Sequence, residues 1–512
     1  MSAKDEVALR AQAGRLREHL LARPDAGVLD TAFSAATTRA HLEHRGVVTA
    51  GDRESLLAGL LALSAGEPGS VVGCALSGKT AFVFSGQGAQ RARMGAQLAR
   101  VFPVFARVLE EVCGELDPLL ERPLTEVLAA EEGSAGAGLL NDTQFTQAGL
   151  FAVEVALFRL LESLGVRADF LVGHSVGEVA AAHVAGVLSL SDACVLVAAR
   201  GRLMGGLPVG GAMAAVQATE AEVRESLAGF GGRLSVAAVN GPRAVVVSGG
   251  QEVLEEWLQL PLWQGRRTTK LRVSHAFHSA LVEPMLGEFA DVVGRLRFAE
   301  PVIPVVSNVT GALTGPGELA DPVYWVRHAR EAVRFADGIA ALAEAGVTRF
   351  VEVGPDGSLT ALAREVLEEA GGTGVVVAAL RGRQSEPEAF AAFLGQAHTA
   401  GIGVDWPAFY AGSGARAIPL PTYAFQRERY WLAPGSSVPG ALAAGAERVD
   451  HPLLTAGTRI GDQDQWLFTG RVSTDTDAWV TEHMLFGTVV VPGVRRAGLR
   501  DRHGGGAEAG LD

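Results

Sequence analysis

Ser175 lies between two glycines where an apolar run gives way to an alanine-rich one, in FLVGHSVGEVAAAHVAG (residues 170–186). The apolar run predicts a buried strand and the alanine-rich run predicts a helix. The flanking glycines allow the tight turn that presents a serine hydroxyl at the start of a helix. Similar runs at TAFVFSGQGAQ (80–90) and QAGLFAVEVALFRLLESLG (147–165) continue the alternation. We therefore predict an α/β fold in which helices wrap a parallel sheet.

Residues 211–271 follow a different pattern. Apolar and helical stretches succeed one another there as strand, helix, strand, strand, helix and strand, which is the βαββαβ order of a ferredoxin-like unit. We expect this unit, about residues 208–272, to be a subdomain inserted into the parallel-sheet domain. The strand and turn predicted in RFVEVGPDGSL (349–359) then return the chain to the main sheet.

The regions that flank this domain have patterns of their own. Residues 1–78 predict a small α/β unit with a helix over 5–23, a strand at VVTAG (47–51) and a helix at ESLLAGLLAL (54–63). Residues 384–434 are rich in proline and aromatic residues and show little periodicity. This composition predicts an extended linker that its aromatic side chains hold against other domains.

The C-terminal part of the chain is expected to form a separate region. SSVPGALAAGAE (436–447) has the composition of a flexible joint. Residues 450–495 contain short apolar runs that predict a strand-rich domain, and residues 496–512 have no core pattern and are expected to be disordered.

Composition excludes several classes of function. The chain has 44 basic and 57 acidic residues, a net charge of −13, which argues against binding to nucleic acid or to an anionic membrane surface. Cys74, Cys113 and Cys194 are far apart in sequence, so we expect no metal site, no disulfide framework and a cytoplasmic location. No apolar run is long enough to predict a transmembrane helix.

A serine nucleophile requires a base, and histidine is the usual one. His275 and His278 lie close together in VSHAFHSALVEP, where the chain leaves the inserted subdomain. His174 should point away from the cleft if Ser175 faces it, and His183 lies about 12 Å along the predicted helix. Sequence spacing alone does not decide between His275 and His278.

Arg200 is the third candidate site residue. Gly186 interrupts the helix that follows Ser175, and Ser191 and Asp192 predict the start of a second helix. A helix that runs back from that point brings Arg200 to about the level of the serine. A surface ion pair is the alternative role, but the apolar setting CVLVAARGRLM favours a guanidinium that binds a substrate carboxylate.

These motifs together resemble the acyltransferase domain of modular type I polyketide synthases, which is related to malonyl-CoA:acyl-carrier-protein transacylases. The matching segments are FVFSGQGAQ, TQAGLFAVEVALF, GHSVGEVAAAHVAGVLSLSDA, HAFHS and PTYAFQRERYWL. The resemblance extends over residues 3–492. It implies an α/β-hydrolase-like core at 79–383, part of a ketosynthase-to-acyltransferase linker at 1–78 and a post-acyltransferase linker at 384–434.

The resemblance also implies a role for each site residue. Ser175 would be the acylated nucleophile and His278 its base, with the imidazole oriented by a main-chain carbonyl that we assign to Asn308. The main-chain N–H groups of Gln87 and Val176 would form the oxyanion hole. The residues that it implies for substrate binding are Arg200, which would hold a carboxylate, and Phe277, His275 and Asn308.

The resemblance implies transfer of malonyl from malonyl-CoA to the phosphopantetheine thiol of an acyl carrier protein, with no bound cofactor and no metal. HAFH is typical of malonyl-selective members, because the Phe277 ring would fill the space that an α-methyl group needs. Methylmalonyl-CoA is the second-choice substrate. The implied partners are the carrier protein and neighbouring ketosynthase and dehydratase domains. A serine thioesterase or hydrolase and an inactive synthase fragment are the alternatives.

Residues 450–495 resemble the start of a dehydratase of double-hotdog fold. His483, Gly487 and Pro492 fit the HxxxGxxxxP motif, in which the histidine removes an α-proton. The following VRRAGLRDRHGGG departs from the apolar helix of that family, as a truncation or a frameshift would. We therefore expect no dehydratase activity, and we expect the chain to be a fragment of a longer module.

Overall fold

The computed structural model describes residues 1–68, 70–273, 275–382, 384–426, 445–451, 453–461, 465–470, 472–474 and 478–490. The chain divides into two compact units, Met1–Ala424 and Phe425–Asp512. Each unit is described by itself.

The first unit begins with a three-stranded antiparallel sheet packed against helices. Its elements are β1 (Ser2–Ala3), α1 (Glu6–Ala22), α2 (Val28–Thr37), β2 (His44–Val47), α3 (Arg53–Ala65) and β3 (Val71–Cys74), with β2 in the middle of the sheet. The side chain of Asp5 accepts the N–H of Ala8 at 2.7 Å and so caps α1. The small α/β unit is confirmed, but its middle strand ends where VVTAG was expected to begin, and α2 was not predicted.

The main domain follows, and its first half carries the serine. Its elements are β4 (Lys79–Phe84), α4 (Ala96–Val101), α5 (Pro103–Leu116), α6 (Leu124–Ala129), α7 (Ala135–Gly138), α8 (Thr143–Ser163), β5 (Phe170–Gly173), α9 (Gly177–Val184) and α10 (Leu190–Gly205). The break between α9 and α10 is confirmed. The capping residue is Ser189, whose side chain accepts the N–H of Asp192 at 3.1 Å, so the cap lies two residues before the expected Ser191.

The inserted subdomain has the expected βαββαβ order. Its elements are β6 (Gly211–Val216), α11 (Glu220–Leu227), β7 (Leu234–Gly241), β8 (Ala244–Gly250), α12 (Gln251–Leu258) and β9 (Thr268–Lys270). The strands form an antiparallel sheet in the order β7-β8-β6-β9. This is the strand order of a ferredoxin-like fold, and the prediction is confirmed.

The second half of the main domain completes its sheet. Its elements are α13 (Glu283–Val293), β10 (Val305–Val306), α14 (Pro322–Arg330), α15 (Phe335–Glu344), β11 (Val347–Val353), α16 (Ser358–Glu369) and β12 (Val375–Ala378). The five strands are parallel and lie in the order β10-β5-β4-β11-β12. The serine turn directly follows β5, so it lies at the carboxyl edge of this parallel sheet, where α/β folds place their sites.

The segment that was expected to be an extended linker begins instead with a helix. Helices α17 (Glu386–Thr399) and α18 (Trp406–Phe409) lie within it. The prediction was wrong there because Phe390, Phe393 and Leu394 have helical spacing and are buried in the main core. From α18 to residue 426 the chain has neither helix nor strand, and it returns to the N-terminal sheet, where the Tyr423 hydroxyl accepts the N–H of Lys4 at 3.0 Å.

The second unit contains short antiparallel strands. Its elements are β13 (Ala446–Arg448), β14 (Ala456–Arg459), β15 (Trp466–Thr469), α19 (Ala478–Thr481), β16 (Met484–Leu485) and β17 (Thr488–Val489). The first three strands form one sheet and the last two form a hairpin. Residues 496–512, expected to be disordered, lie outside the described residues. Among the helices in the described parts of both units, none is long and apolar enough to cross a membrane.

Candidate active site

Ser175 lies on a sharp turn between β5 and α9. Its backbone has φ 53°, a left-handed conformation that is uncommon for residues other than glycine. Both flanking glycines are required sterically. A Cβ on Gly173 would lie 2.1 Å from the nitrogen of Glu178, and one on Gly177 would lie 2.5 Å from the carbonyl oxygen of Ser85. The GxSxG pattern therefore reflects a turn so tight that no side chain fits at either glycine position.

The Asn308 side chain holds this turn from behind. Its Oδ1 accepts the main-chain N–H of Ser175 at 2.6 Å, and its Nδ2 donates to the carbonyl oxygen of Gly173 at 2.7 Å. Asn308 is 2% exposed, so both bonds are shielded from water. They fix the conformation of a strained residue, which is how such strain persists in a folded protein.

His278 is the histidine that reaches the serine. Its Nε2 lies 2.9 Å from the Oγ of Ser175, and its Nδ1 lies 2.8 Å from the main-chain oxygen of Glu331. The expectation that the carbonyl of Asn308 orients this ring was wrong, because the start of the segment after α14 places the Glu331 carbonyl there instead. A main-chain carbonyl carries no side-chain signature, so the sequence could not identify it.

Arg200 contacts the same hydroxyl. Its Nη2 donates to Ser175 Oγ at 2.9 Å and its Nη1 donates to Gln147 Oε1 at 2.7 Å. The side chain is 2% exposed. Burial lowers the pKa of Arg200 to about 10, so the guanidinium is still a cation at neutral pH. Gln147, which belongs to the quoted TQAGLFAVEVALF segment, was not predicted as a site residue.

The hydrogen bonds determine where the protons lie. The Glu331 main-chain carbonyl only accepts, so His278 carries its proton on Nδ1 and donates it to that carbonyl. In the neutral imidazole Nε2 is then an acceptor, so the Ser175 O–H donates to it while Oγ accepts from the Arg200 guanidinium. Burial, and next to it the charge of Arg200, lower the pKa of His278 to about 3. The site therefore holds an unprotonated base directed at the serine proton.

The serine opens into a crevice of about 590 Å³. Gln87, Val176, Arg200, Phe277 and His278 all line it, so five of the predicted site residues surround the nucleophile. Within the described residues the main-chain N–H groups of Gln87 and Val176 donate to no protein acceptor. Two free donors beside a serine can receive an oxygen that gains negative charge.

The part of the chain that contains this site matches a known protein family. A family model described as the acyl transferase domain matches residues 81–404, more than half of the chain. The chain belongs to this acyltransferase family. A model described as CurL-like, PKS C-terminal, matches residues 1–60, and a polyketide synthase dehydratase domain model matches residues 451–497.

The curated relatives include proteins named as polyketide synthases. Polyketide synthase GfsB of Streptomyces halstedii is 53% identical over 96% of the chain, and the spectinabilin polyketide synthase system protein NorB of Streptomyces orinoci is 49% identical over 100%. Mycoketide-CoA synthase of Mycobacterium tuberculosis is 46% identical over 98%. The chain spans only 9%, 24% and 12% of the lengths of these three proteins. It thus corresponds to one segment of each.

Solved acyltransferase structures share the fold. The acyltransferase domain from the second module of the salinomycin polyketide synthase is 52% identical with a TM-score of 0.68, over 83% of this chain and 98% of that one. The domain from module 8 of the same synthase is 36% identical with a TM-score of 0.76, and the match covers 80% of this chain and 96% of that one. MCAT from Streptococcus pneumoniae is 29% identical with a TM-score of 0.52, and the match covers 59% of this chain and 95% of that one.

Two residues predicted to bind substrate lie elsewhere in the acyltransferase domain. His275 is buried away from the crevice, and its Nε2 hydrogen-bonds the carbonyl oxygen of Leu207 at 2.9 Å. The side chain lines a separate cavity, because the turn at residues 276–278 sends it to the opposite side from His278. Asn308 lies behind the serine turn and does not line the crevice. We therefore correct both residues from substrate contact to structural support.

A buried polar network supports Asn308 in turn. Its main-chain N–H donates to Glu178 Oε2 at 2.7 Å, and the Tyr324 hydroxyl bonds to Oε1 of the same carboxyl and to Ser307 Oγ. Burial raises the pKa of Glu178 to about 8, so this carboxyl is largely uncharged at neutral pH. His328 Nε2 lies 3.9 Å from Glu178 Oε2. Sequence reasoning missed these residues, although Glu178 directly follows the GHSVG motif.

In the second unit, two residues of the dehydratase motif are described. His483 is exposed and precedes the hairpin, and Gly487 has φ 81° in its turn. His483 Nδ1 lies 3.4 Å from the carbonyl oxygen of Trp479. Pro492 lies outside the described residues. The absence of dehydratase activity remains a prediction.

Proposed function

We propose that this chain loads a malonyl group from malonyl-CoA onto the phosphopantetheine thiol of an acyl carrier protein, through a malonyl ester of Ser175. One observation carries the proposal. The hydroxyl oxygen of Ser175 lies 2.9 Å from both His278 Nε2 and Arg200 Nη2. A neutral base and a buried cation therefore meet at one nucleophile.

In the first half-reaction, the carboxylate of malonyl-CoA pairs with Arg200, which releases the serine hydroxyl from the guanidinium. His278 Nε2 takes the proton as Ser175 Oγ attacks the thioester carbonyl. The main-chain N–H groups of Gln87 and Val176 receive the negative oxygen. The C–S bond then breaks, His278 returns the proton to the sulfur, and free CoA leaves.

The second half-reaction reverses these roles. The thiol of the carrier-protein arm gives its proton to His278 and attacks the ester carbonyl of malonyl-Ser175. The ester C–O bond breaks and the proton passes to Oγ, which regenerates the serine. The cycle is a ping-pong reaction with one covalent intermediate, and its residues need no metal or bound cofactor.

We further infer that malonyl is preferred to methylmalonyl. Phe277 lines the crevice next to His278 and is 6% exposed, which supports the inference that its ring fills space that an α-methyl group would need. One methyl group in such a pocket is worth about 1–3 kcal/mol. The preference is therefore finite, and methylmalonyl-CoA is the second-choice substrate.

We also infer that the segments around the acyltransferase core are the linkers and dehydratase start of a larger synthase, with the ketosynthase and the carrier protein as further partners. Two contacts support the pairing of the two linkers. Arg39 Nη2 donates to the carbonyl oxygen of Leu420 at 2.9 Å, and Arg15 Nη1 donates to that of Tyr423 at 3.0 Å.

A transfer assay tests the proposed function against hydrolysis. Malonyl-CoA is incubated with the chain, with and without a phosphopantetheinylated carrier protein. We expect malonyl-carrier protein to accumulate, with slow release of free malonate when the carrier is absent. Ser175→Ala should abolish transfer. Equal malonate release with and without carrier would support a hydrolase instead.

A further inference from the structure

The crevice has one wall that comes from the inserted subdomain. One face of the sheet β7-β8-β6-β9 packs on α11 and α12 through a core that contains Ala214, Val247 and Trp257. The alternate residues, among them Met213 and Val246, face the other way and line the crevice. This face of the sheet therefore contributes one wall of the crevice that leads to Ser175.

Side chains on β9 and just before it point alternately to the two faces of the sheet, so some of its cations form ion pairs with the helices and others do not. Arg266 donates to Glu222 at 2.8 Å and Lys270 to Glu255 at 2.6 Å, so both point to the helix-covered side. Arg267, one residue after Arg266, points to the other face of the sheet and lines the crevice. In the part of the chain that the structure describes, no carboxylate lies within ion-pair distance of Arg267, so its charge is available to a ligand.

Arg243 is a second cation of this kind. It lies in the turn between β7 and β8, lines the crevice, and has no ion pair among the described side chains. Val216 of β6 lies opposite Val245 of β8 on one side and opposite Thr268 of β9 on the other. Arg243 and Arg267 therefore lie at the same end of the sheet with β6 between their strands, two strand spacings or about 10 Å apart.

The charge at this end is locally positive. Glu365 is the acidic side chain among the described residues that line the crevice, so two guanidinium groups oppose one carboxylate there, in a chain of net charge −13. From Arg267 to Val273, where the strand leads on to His278, the six intervening steps span about 20 Å when extended. Both arginines lie on the crevice wall and are not among the groups that contact Ser175 Oγ, which are His278 and Arg200.

We propose that Arg243 and Arg267 bind the phosphate at the far end of the pantetheine arm whose thioester or thiol reacts at Ser175. This proposal rests on the proposed function. Guanidinium groups bind phosphate oxygens through paired charge-assisted hydrogen bonds. The same chemistry occurs in the diphosphate of CoA and in the phosphodiester that joins the arm to a carrier protein, so one site can serve both half-reactions.

The test compares malonyl-CoA with malonyl-pantetheine, which has the same arm and thioester but no phosphate. In the double variant Arg243→Gln/Arg267→Gln, KM for malonyl-CoA should rise about tenfold while the acylation rate at saturation changes less than about twofold. Malonyl-pantetheine should react equally well with the double variant and the unaltered chain. Arg272→Gln is the matched control, because Arg272 is exposed in the same segment and does not line the crevice.

Two further measurements identify the source of the phosphate. Transfer from malonyl-Ser175 to holo-carrier protein and to free pantetheine, in the same variants, shows whether the arginines serve the second half-reaction. A loss restricted to CoA or to the carrier protein assigns the site to that donor or acceptor, and a loss with both assigns it to the shared arm. The advantage of malonyl-CoA over malonyl-pantetheine should also shrink with added salt in the unaltered chain.

Two outcomes overturn the phosphate site. One is an unchanged KM for malonyl-CoA in the double variant, and the other is an equal loss with malonyl-CoA and malonyl-pantetheine. Both leave the proposed function standing if the unaltered chain still forms the malonyl ester. If the unaltered chain forms no ester at all, the proposed function itself fails, so the two failures are distinguishable.

Discussion

Arg200 Nη2 donates a hydrogen bond to Ser175 Oγ at 2.9 Å, so the nucleophile and the buried cation contact each other before any substrate binds. The serine hydroxyl stands where one oxygen of a carboxylate can replace it. In the proposed reaction, a substrate carboxylate would replace the serine hydroxyl as an acceptor of the guanidinium, so the cation would keep a partner when substrate binds. An acyl group that lacks a carboxylate offers no such exchange.

This relationship predicts the effect of removing the cation. Arg200→Ala should lower acylation by malonyl-CoA about a hundredfold, because the substrate carboxylate would then be buried without its charged donor. Acylation by acetyl-CoA should not fall. Rates with the two thioesters measure the ratio, and Arg202→Ala is the matched control on the same helix, since Arg202 is exposed and pairs with Glu288. An equal loss with both thioesters would contradict a carboxylate-binding role.

The pH dependence of acylation should reflect the environment of His278. Burial and the Arg200 charge lower its pKa to about 3, and the neutral form is the base. A lowered pKa keeps that form populated as the pH falls, so kcat/KM for malonyl-CoA should stay level from about pH 7 down to about pH 5. A decline with its midpoint near pH 6.5, the value of an unperturbed imidazole, would show that the ring is more solvated than the structure indicates.

Asn308 provides a test of how the serine turn is held. Asn308→Ala leaves the N–H of Ser175 and the carbonyl oxygen of Gly173 without their buried partners. The free energy of unfolding should fall by about 3 kcal/mol, and acylation should slow as the serine loses its fixed orientation. Urea denaturation measures the first effect. Asn141→Ala, which removes an exposed bond to Gly138, should change stability by less than about 0.5 kcal/mol.

The steric account of extender choice has its own test. Phe277→Ser should raise the methylmalonyl-to-malonyl ratio about tenfold when both thioesters compete, since one methyl in a pocket is worth about 1–3 kcal/mol. Phe277→Leu retains most of the bulk and should change the ratio less. Mass analysis of the acylated chain reads both products at once. A ratio that does not change in Phe277→Ser would contradict the role of the ring.

The sequence was sufficient for features that depend on local pattern. The serine turn, the βαββαβ insertion and the return of α10 toward the nucleophile follow from periodicity, glycine spacing and capping residues. The helix Glu386–Thr399 was missed because the aromatic content of the region was given more weight than the helical spacing of its apolar residues.

Contacts between distant segments could not be predicted from the sequence in the same way. The Glu331 carbonyl orients His278, and Gln147 holds Arg200, across 53 residues in each case. Every residue has a carbonyl, and many have an amide side chain, so neither group stands out in the sequence. The choice between His275 and His278 also depended on the turn that separates them, which sends one ring to the crevice and the other to a different cavity.

Intact-protein mass spectrometry after a brief incubation with malonyl-CoA, followed by peptide mapping, tests the central claim most directly. Our account predicts one malonyl adduct on Ser175, no adduct in Ser175→Ala, and less adduct when methylmalonyl-CoA replaces malonyl-CoA. An adduct that persists in Ser175→Ala, or no adduct on the unaltered chain, would contradict it.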